Sequence, residues 1–317
     1  MRRILNRMRI LRAFALLAML TLLACEHKDL NFEYAMTARV RVVFDWKNAL
    51  EAAPATMSLY LFPQDGGKPQ TYEFTDYRGD YIEVPFGQYK AVCVNSDTES
   101  VLYRNIDFFD RFEAYAQGGV MTLRSAALPR TKGTANERVT QSPDPLYTAR
   151  LDEVVINSAE ENQVVTLYPE LSVARVRVTI RNVDNLKYLS ADAITGALTG
   201  LSGGLLVGLN RTTTDPVTVP FKVESDGEST LTAEFLAFGQ PGTSRQVNKL
   251  VVYAIIPDGS KNSYTFDVTQ QLKSASDPYN VHIVLDGLPL PKPIVSGGSG
   301  FQPDVDDWEH VDVDVAM

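Results

Sequence analysis

Two cysteines, three histidines and two tryptophans in 317 residues leave several chemistries without their reagents. His27, His282 and His310 lie far apart, none with a cysteine or a second histidine at ligand spacing, so no zinc site is spelled out. There is no G-x-S-x-G elbow, no phosphate-binding glycine loop and no nucleophile-with-base pattern. Carboxylates are plentiful but form no recognisable catalytic pair. These gaps point away from an enzyme, catalytic residues and a cofactor. Positive charge is also in short supply, with 30 basic against 39 acidic residues and a formal net charge of −9. Such a balance argues against nucleic acid and against electrostatic docking on anionic lipid.

The basic residues that exist are unevenly placed. Arg2, Arg3, Arg7, Arg9 and Arg12 open the chain without a single acid among them, followed by the apolar run FALLAMLTLL and then Leu22-Leu23-Ala24-Cys25. A basic segment, an apolar core of about 11 residues and a small residue make an export signal, because so short a core cannot span a bilayer. The tetrapeptide ending at Cys25 is similar to a bacterial lipobox, which implies cleavage after Ala24 and acylation of the Cys25 thiol, palmitate being the type of chain. Each buried CH₂ contributes about 0.8 kcal/mol, so two chains or more give a lasting hold on a membrane. Without residues 1–24 the chain keeps 25 basic and 39 acidic residues, a net charge of −14, and the lipid has to supply the membrane affinity alone. With Cys25 acylated, only Cys93 remains, in the apolar run Ala91-Val92-Cys93-Val94, where it reads as a small buried side chain.

Beyond a polar tether at 25–35, the pattern is strand after strand, an all-β chain with a few short helices. Alternation at 38–42 and an apolar run at 57–62 are followed by short strands at 71–74 and 81–84 about the turn Arg78-Gly79-Asp80. Pro85-Phe86-Gly87 turns into a β-rich run with Tyr89. Residues 105–116, with apolar positions 106, 109 and 112, predict a helix starting at Asn105. Proline and glycine at 125–146 indicate a mobile loop. The second half then restarts the first: Ala174-Arg175-Val176-Arg177-Val178 repeats Ala38 to Val42 letter for letter, 136 residues later. Further strands are expected at 164–167, 205–209, 217–223, 231–238, 250–256, 264–268 and 281–285, with a short helix at 190–199 capped by Ser190. The expected organisation is an N-terminal β module at 36–165, a C-terminal one at 166–288, and a Pro/Gly/Ser linker with a terminal strand at 289–317.

That terminal strand carries Val311, Val313 and Val315 alternating with His310, Asp312 and Asp314. A strand on such a linker can close its own sheet or add to the edge of another subunit, backbone hydrogen bonds giving affinity and alternate side chains specificity. Alternation suits both outcomes. The acidic stretch 304–309 lacks the glycine and the glutamate spacing of a calcium loop and reads as a solvated lead-in.

Taken together, the lipobox leader, the two successive β modules, the Pro-Phe-Gly-Gln-Tyr turn and the tryptophan-then-valine terminus resemble the fimbrillin-type lipoproteins of Bacteroides-like bacteria. The likeness is greatest to their fimbrial anchor and accessory lipoproteins, the minor fimbrium subunit family. The resemblance implies two tandem transthyretin-like β-sandwich modules and an outer-membrane lipoprotein that engages fimbrial subunits by β-strand addition. It also implies that stalk pilins lose their first strand to an arginine-specific protease. Here the cut would fall at Arg39 or Arg41, inside a predicted strand, while Arg130 and Arg150 lie too far along to release one strand. That departure favours an anchor or accessory subunit. A surface glycan- or ligand-binding lipoprotein is the alternative, with Tyr72, Tyr77, Tyr81 and Phe86 as its aromatic candidates.

Overall fold

Apolar and polar side chains alternate through most of this chain, and where they do the backbone extends, one face of each strand turning to a core and the other to water. A computed structural model describes residues 36–157, 162–242, 246–294 and 307–313. The first half contributes β1 (Thr37–Phe44), β2 (Met57–Pro63), β3 (Gln70–Phe74), β4 (Tyr81–Pro85), β5 (Gly87–Asn95), β6 (Val101–Arg104) and β7 (Glu113–Ala116). Three two-residue strands follow, β8 (Thr122–Leu123), β9 (Ala126–Ala127) and β10 (Arg138–Val139), then β11 (Tyr147–Ile156), β12 (Gln163–Leu167) and β13 (Glu170–Leu171). The second half holds β14 (Ala174–Val183), β15 (Ile194–Ser202), β16 (Gly204–Leu206), β17 (Arg211–Thr212), β18 (Pro216–Lys222) and β19 (Glu224–Ser225). It continues with β20 (Leu231–Ala237), β21 (Lys249–Ile255), β22 (Lys261–Asp267), a short helix at Thr269–Lys273, β23 (Asn280–Leu288) and β24 (Trp308–Asp312).

The repeated pentapeptide marks equivalent strands. In the first half the sheets run β12-β1-β4 and β13-β11-β5-β2-β3. In the second they run β19-β20-β14-β23 and β10-β18-β15-β21-β22-β24. Each copy of Ala-Arg-Val-Arg-Val thus lies between a parallel neighbour from the end of its half and an antiparallel neighbour from the middle. In the first copy Val40, Val42 and Phe44 face a core shared with Leu59, Ala91 and Ile156 of the opposite sheet. In the second, Val176, Val178 and Ile180 face Leu198, Val252 and Phe266. The arginines between them point outward, where Arg175 and Arg177 share the carboxylate of Glu234 at 3.2 and 2.9 Å. Such exposed pairs contribute about 0–1 kcal/mol each, so the valines hold the strand.

The turns obey local chemistry. Gly79 lies at φ +97°, and a Cβ there would stand 2.2 Å from the Val42 carbonyl oxygen, so only glycine fits the turn that leads from β3 across to β4 beside β1. Tyr89 fastens the next turn by donating its hydroxyl to the Pro85 carbonyl at 2.8 Å.

Two expected helices are strands with a single 3-10 turn before them. Residues 105–116 form a 3-10 turn at Phe109–Arg111 and then β7, because Phe112, Ala114 and Ala116 recur every second residue and all are buried. Asn105 has φ 55°, a turn conformation instead of a helix start. Residues 190–199 are a 3-10 turn at Ala191–Ala193 running into β15, whose side chains are buried on both faces. Such a strand loses the alternation that would have announced it.

The halves are not beads on a linker. A third kind of sheet, β17-β16-β7-β6, joins β7 of the first half antiparallel to β16 of the second. Under it Tyr60, Val92 and Phe112 pack with Leu205, Val207 and Phe238 in one core. The division expected at 165/166 falls inside β12, which pairs with β1. Among the described residues no helix is long and apolar enough to cross a membrane.

Candidate functional site

The terminal strand β24 is placed by both of its faces. It runs parallel to β22, from Lys261↔Trp308 to Thr265↔Asp312, and the Val313 N–H extends the ladder by donating to the Thr265 carbonyl at 3.0 Å. On the inner face Val311 and Val313 pack against the second core. On the outer face Trp308 meets the buried Tyr253 of β21. Polar contacts set the register: Asn262 Nδ2 donates to Glu309 Oε2 at 3.2 Å, and Ser263 Oγ shares a hydrogen bond of 2.6 Å with His310 Nδ1. The pairing is therefore in cis. It is also shallow, because both valines and the indole are only half-buried. Each contributes less than the roughly 1.5–3 kcal/mol of a fully buried large apolar side chain.

Two other edges of the second half are covered in part. β10 pairs along β18, and the Thr140 N–H continues the cover by donating to Thr218. The edge of β23 is occupied by a side chain: Gln271 accepts from the Val284 N–H at 2.8 Å and donates to the Val284 carbonyl at 3.0 Å, as a neighbouring strand would. An exposed row of unpaired peptide groups invites another chain, and these devices remove the invitation. At β24 none is present among the described residues, and this strand ends its sheet.

The segment expected as a mobile loop, 125–146, is laid across the outer face of the β15–β21 region. Leu128 of this segment, with Met121 and Leu123 just ahead of it, packs with Ala197, Val251 and Tyr253. Arg130 Nη2 donates to the carbonyls of Thr134 and Glu137 at 2.8 and 2.7 Å and to Thr218 Oγ1 at 3.1 Å. The Thr218 hydroxyl passes on to Glu137 Oε2 at 2.9 Å, which also accepts from the Gly200 N–H at 3.1 Å. A buried carboxylate without a cation is tolerable only when its oxygens are so filled. Tyr253 donates its hydroxyl to the Pro129 carbonyl at 2.9 Å, and burial pushes its pKa up. One ring therefore touches both the strap and Trp308. Glu137, Tyr253 and Gln271 carry no motif that would have singled them out, and Arg130 drew notice only as a cleavage position; proline and glycine spacing drew attention to the strap.

The remaining sequence candidates disperse. Cys25, Val315, His27 and residues 304–306 lie outside the described residues. Arg39 and Arg41 sit on β1, which is paired on both sides, and the Arg39 guanidinium covers the Tyr81 ring at 4.2 Å. Arg150 reaches Asp152 Oδ1 and the Gly208 carbonyl, both at 3.2 Å. Of the aromatic candidates Tyr81 is the most exposed, at 44%; Tyr72 and Phe86 lean into the first core and Tyr77 packs against Trp46. Cys93 is fully buried, and burial raises its thiol to about 12. Among the described residues no group of three or more His, Cys, Asp or Glu is arranged to hold a metal. What the site can do is bind backbone and apolar side chains.

Comparison with known proteins places this geometry in company. Residues 24–222 match the family described as a domain of unknown function, DUF5119. A Bacteroides ovatus protein named as a candidate fimbrium anchoring subunit, Fim4B, is 25% identical over 92% of this chain and 93% of its own. The crystal structure of a candidate adhesin from Bacteroides ovatus ATCC 8483 matches with a TM-score of 0.61 and 22% identity, covering 93% of this chain and 98% of that one. The fimbrial anchor protein Mfa2 of Porphyromonas gingivalis matches with a TM-score of 0.50 and 17% identity, covering 79% of this chain and 91% of that one. Both structures share the fold.

Proposed function

The chain belongs to the DUF5119 family, and from that starting point we propose that it is a fimbrial anchor or accessory lipoprotein. In this reading it is held on the outer membrane, facing outward, through acylated Cys25. It engages a fimbrial subunit with its terminal strand. Val311 and Val313 leave the edge of β22 and, together with Val315, enter the partner's sheet, the Pro/Gly/Ser stretch of sequence before β24 giving the reach. The two halves of like strand order are its transthyretin-like modules, and no catalysis is involved.

The observation that carries the reading is the contrast between edges: β18 and β23 are guarded, whereas β24 is shallowly seated and ends its sheet. The kinship with a protein named for anchoring a fimbrium supports it along nearly the whole chain. The central position of β1 supports an anchor over a stalk subunit, since extracting β1 would break two ladders at once.

Deleting residues 304–317 tests the proposal. Capture of a fimbrial subunit from the same cell is expected to be lost while the remainder keeps its cooperative unfolding. Undiminished capture by the truncated chain would refute it.

A further inference from the structure

A groove of about 470 Å³ lies on the first half, between the end of β2 with its following turn, Lys90 of β5, and the turn at 107–111 that precedes β7. Its floor is set by the core, where the buried Phe109 meets Phe62 edge-on, ring centroids 5.6 Å apart. Phe108 beside it stays 49% exposed. Both cations of the groove sit on rings. The Arg111 guanidinium lies 3.8 Å from the Phe108 centroid and the Lys90 ammonium 4.7 Å from that of Phe109. Asp107, Asp110 and Gln64 line the same groove, and among the described residues their side chains make no hydrogen bond or ion pair. Two carboxylates thus share a cleft with two cations without pairing to them, and their capacity to accept is unspent.

Those groups define what fills the groove. Its volume falls in the range of roughly 300–1,000 Å³ usual for ligand clefts. Its formal charges sum to zero, two carboxylates against two cations, so a charged ligand gains from one pair and is repelled by the other. An apolar side chain of a partner would cover Phe108 but strip water from Asp107 and Asp110 and leave their oxygens unpaired. A neutral sugar meets both demands. The polarised C–H groups on one of its faces are drawn to the negative face of an aromatic ring, and its hydroxyls donate to carboxylates in charge-assisted bonds. We propose that the groove binds a neutral glycan, one pyranose ring lying on Phe108 with its hydroxyls bonded to Asp107, Asp110 and Gln64. The proposal uses no residue of β24 and stands apart from the fimbrial reading.

Titrating the full chain with methyl β-glucopyranoside, methyl β-galactopyranoside and methyl α-mannopyranoside, followed by saturation-transfer NMR, tests it. Saturable binding of at least one is expected, with a Kd on the order of 1 mM for so open a groove. Phe108→Ala is expected to weaken that sugar at least about tenfold, whereas Phe108→Trp, which keeps the platform, holds it within about threefold. The double variant Asp107→Ala/Asp110→Ala should likewise lose about tenfold or more. Methyl β-glucuronide, which adds a negative charge, is expected to bind at least about threefold more weakly than methyl β-glucopyranoside. Absence of saturable binding by all three sugars, undiminished binding by Phe108→Ala or by the double variant, or tighter binding of the glucuronide would each overturn the assignment.

Discussion

Trp308 of the terminal strand meets Tyr253 edge-on, ring centroids 5.6 Å apart and planes at 87°. The same Tyr253 bonds to Pro129 of the strap through its hydroxyl, so the strap and the terminal strand are fastened at one side chain. An edge-to-face pair adds about 0.5–1.5 kcal/mol to what area burial supplies. Trp308→Ala should weaken the docking of β24 by about 1–3 kcal/mol, given a half-buried ring. Hydrogen exchange checks it: the Val313 amide, bonded to Thr265, exchanges at least several-fold faster, while amides of β21 keep their protection.

A charge on the inner face should act more severely. Val311 packs against the second core, and Val311→Asp places a carboxylate there without a partner. The strand is then expected to leave its sheet with the rest of the fold intact. A red shift of Trp308 emission, in a Trp46→Phe background, reads the release, and the unfolding midpoint of the remainder stays within a degree or two.

Strap attachment has its own test. Glu137→Ala strips the acceptor from the buried Gly200 N–H and Thr218 hydroxyl and from the part-buried Gln246 amide. Destabilisation of about 1–3 kcal/mol is expected, and Glu137→Gln, which keeps an oxygen, should cost less. Denaturant midpoints at equal slope decide between them.

Alkaline pH should loosen the sheet that carries β24. The Tyr264 pKa is raised from 10.0 to about 12, first by burial and then by the Glu309 carboxylate. The unfolded chain releases this proton near pH 10 and the folded chain near 12, so the stabilising difference is full below pH 10 and falls as pH rises between the two. Tyr264→Phe should flatten that part of the stability curve. Cys93 behaves likewise, its thiol raised to about 12 by burial, and should resist thiol reagents at pH 8 until the protein unfolds.

How much of this was legible depended on the signal each segment carried. Alternating strands such as β14 and β20 announce themselves, and the repeated Ala-Arg-Val-Arg-Val located equivalent strands. β15 did not, because both its faces are buried and its glycines and serine blur any period. The helix expected at 105–116 failed on a period of three that Phe109 and Phe112 share with β7's period of two. At the candidate site, Val311 and Val313 were readable from alternation, but their partner was not, since register against β22 depends on Ser263 and Asn262 some 47 residues away. Gln271 was invisible for a related reason: a side-chain amide mimicking a strand leaves no pattern in sequence.

The central claim is that β24 must leave β22 to work. Ser263 and His310 are register partners, close enough across neighbouring strands for a Ser263→Cys/His310→Cys disulfide, and buried Cys93 does not compete. The measurement is fimbrial-subunit capture by this variant, oxidised and then reduced. The account predicts that oxidation abolishes capture and reductant restores it; equal capture by the locked and reduced forms would contradict it.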